Sequence, residues 1–325
     1  MIMTILSANK LISEDLRRLE LQLKNRSKTQ VEMINQLGNH ILTSGGKRLR
    51  PAILLLSAHA SNPKLDDKAI DASVVVEFIH AATLLHDDVV DMSQIRHNQD
   101  TANIIWGNKG AVLVGDFLYS RAFEIIVEIN NKMIYETLAT TTNVIAQGEV
   151  MQLMNIGNIT LNEESYLDII YRKTAILFEA SAKIGAIINN SSKQDMISLA
   201  SYGLHFGIAY QLRNDYLDYF GDSDSTGKNI IEDLLEGKAT LPIIHALRNA
   251  DKKDRDLIRQ LFAEADPNAE KIITKILKKY KSHNYIESKI MEKTELAIKS
   301  LDEIAESKYK DELIDLALFC KERFS

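Results

Sequence analysis

The chain has 325 residues, 45% of them hydrophobic, with only 4 prolines and 14 glycines; it can bury a large core, and the scarcity of breakers predicts helix nearly throughout. A formal net charge of -6, with no block of lysine or arginine, argues against a nucleic-acid binder, which needs a basic stripe to follow phosphates. A lone Cys320 leaves no internal disulfide framework and fits a reducing compartment.

The opening "MIMTILSANKLISEDL" has no basic flank before its short apolar run, and no later run approaches a membrane span in length. A cytoplasmic protein with at most peripheral membrane contact is expected. No linker, low-complexity tract or fixed-period repeat marks a boundary, which favours a single domain over residues 1–325. In "TSGGKRLRPAILLLSAHA", Gly45 and Gly46 mark a turn and Pro51 suits the start of a helix. Lys47, Arg48 and Arg50 then crowd a helix N-terminus, where positive charge opposes the dipole. An anion clamp explains that placement better than a solvated basic turn.

Residues 72–90, "ASVVVEFIHAATLLHDDVV", are apolar on almost every side, the pattern of a helix buried all round. This helix runs into Asp87, Asp88 and Asp91. Asp87 and Asp91 share a face at i, i+4, where like charges repel, at a helix end that is already negative. A cation would give the arrangement a purpose. The plain alternative is an acidic turn exposed to water, and the apolar helix feeding it speaks against that. Residues 195–222 repeat the design, with Asn214 and Asp218 on one face, Asp215 beside them, and Gly221 expected at the left-handed C′ position. If the two helices run side by side in one direction, their acidic ends face each other across a cleft suited to Mg²⁺. That ion is usually held by one or two carboxylates while substrate phosphates complete its octahedron.

Residues 222–233, "DSDSTGKNIIED", mimic a calcium loop, but the last ligand is Asp233 rather than Glu and no second copy exists. Read as a P-loop, the segment has its glycines too far apart, and Asn229 stands where Ser or Thr belongs. Beyond residue 250 the chain is rich in Lys and Glu with apolar residues at helical spacing, which reads as packing and dimer-supporting helices.

Taken in order, "GGKRLRP", "EFIHAATLLHDDVVD", "GDFLYSRAF", "IAQGEVMQL", "YRKTAILFEAS", "AYQLRNDYLDY" and "GKNIIEDLLEGKATLP" resemble the trans-polyprenyl diphosphate synthase family, on its long-chain, octaprenyl-type side. The resemblance implies an all-α class I isoprenoid synthase fold, with helices around a deep central cavity, usually as a homodimer. It also implies Mg²⁺-dependent condensation of isopentenyl diphosphate onto an allylic diphosphate, with farnesyl diphosphate as primer and an octaprenyl chain for quinones as product. By the same resemblance Asp87, Asp88 and Asp91 bind the allylic diphosphate, Asp87 and Asp91 through the metal, and Asn214, Asp215 and Asp218 supply the remaining ligands. Lys47, Arg50 and His80 hold isopentenyl diphosphate together with His97, and Arg96 serves the allylic site. Lys173, Lys228 and Lys238 neutralise the leaving diphosphate, while Thr174 and Gln211 face the developing cation. Ala82 and Thr83 are small residues that keep the product tunnel open, and Ile126 and Leu138 close it deeper.

The chemistry explains these residue types. Ionising an allylic carbon–oxygen bond creates a cation and a highly charged diphosphate, so charge must be met where it develops and water kept out. No Ser/His/Asp nucleophile is needed. Two positions depart from the family pattern. Asn214 keeps a carbonyl oxygen but loses a formal charge, and His97, followed by Asn98, stands where a second arginine is usual. Two other functions are open to such a chain. A non-catalytic regulatory subunit of a heteromeric synthase gains nothing from clustered charge, and a terpene cyclase has no use for the "GGKRLRP" clamp.

Overall fold

The computed structural model describes residues 10–44, 46–61, 65–96, 99–221, 231–265 and 269–321. The regular elements among them are helical apart from one antiparallel pair of two-residue strands, Ile95–Arg96 and Gln99–Asp100. The all-α expectation holds. The chain forms two compact units, the first from residues 1–142, 177–203 and 300–316 and the second from residues 143–176, 204–299 and 317–325.

The first unit contains α1 (Ser13–Arg26), α2 (Glu32–Thr43), α3 (Leu49–Ser61), α4 (Lys68–Val90) and α5 (Ala102–Ile129). Because α4 is apolar on every side it becomes the core: Val74, Val75, Val76, Phe78, Ile79, Ala82 and Leu85 are at most 1% exposed. Helices α1, α3 and α5 pack around it, and α2 packs on α5. By length and composition α4 could also cross a bilayer, which corrects the expectation that no run is long enough; 72% of its most apolar stretch is buried in the protein, the mark of a core helix. Helix α5 is two helical runs joined at Gly107, whose φ of +78° only glycine adopts readily.

Helix α6 (Lys132–Met154) follows, then α7 (Glu163–Ile170), which starts where the Asn162 side chain accepts from the Ser165 N–H at 2.8 Å. A single π-helical turn, Tyr171–Ala175, leads into α8 (Ile176–Ile188). Within the first unit α8 crosses α3 so closely that a Cβ on Gly185 would overlap the Leu54 carbonyl. The Asn189 side chain secures the crossing by donating to the Ala58 carbonyl at 2.7 Å.

Helix α9 (Lys193–Phe220) ends at Gly221, whose N–H donates to the Leu217 carbonyl at 2.9 Å, the bond that a C′ residue makes back to the last turn. Next come α10 (Glu232–Leu235), α11 (Leu241–Asn249), α12 (Lys252–Glu264), α13 (Glu270–Lys279), α14 (Ser282–Lys299) and α15 (Lys308–Phe319). Pro242 sits in the first turn of α11, where its missing N–H has no intrahelical acceptor to lose. In the second unit α13 turns Ile273, Ile276 and Leu277 inward and α14 turns Ile286 and Ile290, so the periodic segments past residue 250 are amphipathic packing helices.

Candidate active site

In the first unit α4 delivers its acidic end as the sequence predicts. The Asp91 N–H donates to the Asp87 carbonyl at 2.8 Å, which sets those two residues one helical turn apart. Asp88 points elsewhere. It is 1% exposed and accepts a forked pair from Arg96, Nη2 to Oδ1 at 2.7 Å and Nε to Oδ1 at 3.1 Å. Burial of Arg96 works against its charge, but the hydrogen bonds to Asp88 and the fields of Asp88, Asp87 and Asp91 outweigh it, so the guanidinium is raised above its ordinary range. One arginine thus feels all three carboxylates. The loop between α4 and α5 is tied down from α5: Asn103 Nδ2 donates to the carbonyls of Asp88 (3.2 Å) and Ser93 (3.0 Å), and the Thr101 hydroxyl donates to Ser93 at 2.7 Å.

The basic turn divides. Arg50 Nη1 lies 3.1 Å from His80 Nε2, and its guanidinium stacks 4.3 Å from the Phe178 ring centre, so α3, α4 and α8 bring the two predicted diphosphate ligands together. Lys47, in the turn just before Arg50, is half-buried. Arg48 corrects the expectation of a three-residue clamp. Held at φ +47°, it pairs with Glu77 at 2.5 Å and Glu20 at 2.8 Å and donates to the Leu42 carbonyl, which makes it a scaffold residue. Among the predicted tunnel residues, Ala82 is 0%, Leu138 1% and Ile126 5% exposed. The Thr83 hydroxyl is turned back onto the His80 carbonyl of its own helix at 2.8 Å.

In the second unit the softened cluster separates into three environments. Asn214 is exposed. Asp215 is 3% exposed, and its carboxylate accepts from Gln211 Nε2 at 2.7 Å and from the Tyr166 hydroxyl. Asp218 accepts from the backbone N–H groups of Glu232 (3.1 Å) and Asp233 (3.3 Å), which fastens α9 to the start of α10. The Thr174 hydroxyl donates to Gln211 Oε1 at 3.2 Å, so Thr174, Gln211, Asp215 and Tyr166 form one hydrogen-bonded chain. Burial raises the Tyr166 phenol well above its ordinary range, and the charges of Asp215 and Asp233 add to the effect. Burial does the same to Tyr219, with Asp218, Asp233 and Asp215 contributing.

Lys173 sits on the π-helical turn and donates to Glu149 Oε2 and Gln152 Oε1, both at 2.7 Å. That turn passes so close to α6 that a Cβ on Gly148 would stand 2.7 Å from Arg172 Cβ and 2.8 Å from the Lys173 nitrogen. Lys238 is 2.6 Å from Glu236. His97 and Lys228 lie outside the described residues, as does most of the segment 222–233. Tyr166, Glu149 and Gln152 were not singled out from sequence, and Asp233 only as the end of the calcium-loop mimic. Glu149 and Gln152 stood inside a quoted family segment, whereas Tyr166 reads as an ordinary packing residue until its helix is folded against α9.

Among the described residues no three carboxylate, imidazole or thiolate groups converge as a metal cage. Two carboxylates one turn apart, with a third locked onto an arginine, do fit Mg²⁺, which takes few protein oxygens and fills its octahedron from phosphate and water. The helical architecture and a carboxylate-bearing helix end that meets an arginine are those of the isoprenoid synthase class.

Residues 31–280 match the family model described as polyprenyl synthetase, and the chain belongs to that family. It is 38% identical to an octaprenyl diphosphate synthase from Haemophilus influenzae, over 99% of this chain and 98% of that protein. An Escherichia coli octaprenyl diphosphate synthase is 36% identical over 99% of each chain. Among solved structures, a Caulobacter crescentus polyprenyl synthase complexed with calcium and isoprenyl diphosphate superposes with a TM-score of 0.94 at 34% identity, covering 99% of this chain and 98% of that one. A decaprenyl diphosphate synthase from Rhodobacter capsulatus gives 0.93 at 33% identity, with 99% of each chain covered.

Proposed function

We propose that this chain condenses isopentenyl diphosphate onto farnesyl diphosphate to give octaprenyl diphosphate for quinone side chains, as a Mg²⁺-dependent homodimer in the cytoplasm. The observation that carries the reading is the end of α4, where a buried, largely apolar core helix that carries the small Ala82 delivers Asp87, Asp88 and Asp91 to Arg96. Full-length similarity to long-chain synthases supports the same product class and leaves the regulatory-subunit reading without support. The family match spans parts of both compact units, which supports treating them as one functional domain.

When bound through Asp87 and Asp91, with Asn214, Asp215 and Asp218 completing the set, Mg²⁺ would draw charge off the allylic diphosphate oxygens. Arg96, Lys173, Lys228 and Lys238 meet the negative charge as the carbon–oxygen bond breaks. Thr174 and Gln211 present oxygens toward the allylic cation, and Lys47, Arg50, His80 and His97 hold isopentenyl diphosphate in line with it. The double bond attacks, a new carbon–carbon bond forms, and the proton lost from the adjacent carbon goes to the departed diphosphate. Water, which would quench the cation, has to be kept out of the site while the bond breaks. Purified protein given Mg²⁺, farnesyl diphosphate and labelled isopentenyl diphosphate should yield a C40 product by chromatography. No product longer than the primer would reject the proposal.

A further inference from the structure

We infer that Tyr166 is a positioning residue for the second carboxylate cluster, its hydroxyl holding the Asp215 carboxylate in the orientation needed for metal and diphosphate; this rests on the reading that Asp215 serves the Mg²⁺ site. Tyr166 and Asp215 are each 3% exposed and stand 49 residues apart, on α7 and α9. A carboxylate that buried is tolerated only when its oxygens are hydrogen-bonded. The donors come from two directions, Gln211 from the same helix onto Oδ1 and Tyr166 from a different helix onto Oδ2. A second donor, on α7, restricts rotation of the carboxylate about its χ2 more than Gln211 on the same helix does by itself. A phenylalanine would fill the same space, so packing does not explain the hydroxyl.

The local charge balance makes this orientation matter more. Asn214 brings no charge, and both oxygens of Asp218 accept from the start of α10, so Asp215 is the carboxylate of this cluster that side chains of two different helices hold. Outer groups that orient metal ligands typically change metal affinity or activity by about 10- to 100-fold.

The test uses Tyr166→Phe, Asp215→Asn and the double variant of the full chain. Mn²⁺ binding in the presence of inorganic pyrophosphate is read by electron paramagnetic resonance without turnover, beside the Mg²⁺ dependence of kcat and the thermal midpoint. Tyr166→Phe should weaken Mn²⁺ binding about 10-fold, keep the thermal midpoint near that of the wild type, and add no further loss in the Asp215→Asn background. Incorporation of 3-fluorotyrosine at position 166, which keeps the hydroxyl, should bind Mn²⁺ like the wild type. Wild-type Mn²⁺ affinity in Tyr166→Phe, an equal loss in both backgrounds, or failure of that variant to fold would overturn the inference while leaving the metal role of Asp215 standing. An Asp215→Asn variant that binds Mn²⁺ normally would overturn both.

Discussion

Arg48 and Arg50 are two residues apart and serve different partners. The Arg48 guanidinium is spent on Glu77 and Glu20, and the Glu77 side chain is 8% exposed, so removing the arginine leaves a buried carboxylate uncompensated. Arg48→Ala should cost about 3 kcal/mol of stability in chemical denaturation, whereas Lys47→Ala should raise the KM for isopentenyl diphosphate at unchanged stability; the reverse pattern would exchange their roles. Asp87 and Asp88 divide in the same way. Asp88 is locked onto Arg96 and Asp87 is a proposed metal ligand, so Asp87→Ala should lower kcat by orders of magnitude with the helical circular dichroism intact. Near-normal turnover would remove Asp87 from the metal site. Exposed Asn214 makes the opposite kind of test. Asn214→Asp should lower the Mg²⁺ concentration needed for half-maximal activity, because an anionic oxygen replaces a neutral one; an unchanged requirement would mean that position 214 does not touch the metal.

At the scale of elements, α4 was legible because a helix apolar on every face has only one place to go. Its acidic end was legible because clustered like charge at a negative helix end has no structural use. The π-helical turn was not. It follows a close approach to Gly148 that nothing in "YRKTA" announces, and it sets the direction of Lys173. The division into two units was equally silent, since no linker accompanies it. The same helix α4 carries the product-length argument. Ala82 is fully buried, so Ala82→Tyr inserts a ring either into the tunnel or into packed neighbours. In the tunnel it should shorten products to farnesyl or geranylgeranyl length with little loss of stability. In a packed core it should cost about 1–3 kcal/mol instead. Leu138→Ala should lengthen products if that side chain forms the floor, at about 2–5 kcal/mol in stability. Full-length product from a stable Ala82→Tyr enzyme would place the tail along another face.

At the scale of the whole molecule the question is what covers α5. In the sequence its second half, "AVLVGDFLYSRAFEIIVEI", is apolar nearly throughout, so periodicity did not separate an inner from an outer face. The fold does. Val114, Leu118, Ile125 and Ile126 are buried, while Leu113 is 67%, Phe123 43% and Val127 70% exposed. Val112, Leu113, Phe123 and Val127 recur at spacings that keep them along one side of the helix. Large apolar side chains aligned in this way mark an association surface more often than a solvated one, and a second copy of the chain is the occupant that the proposed homodimer supplies. A stable interface needs about 800 Å² from each partner, and the exposed apolar side of α5 is the surface on which the proposed homodimer would centre it. Leu113→Glu combined with Val127→Glu places charge in that centre. Both positions are exposed in the single chain, so each change should alter its folding stability by no more than about 0.5 kcal/mol. Light scattering coupled to size exclusion should therefore read a dimer for the wild type and a monomer for the double variant, with identical far-ultraviolet circular dichroism. A double variant that remains dimeric would move the interface off α5, and a monomeric wild type would withdraw the homodimer.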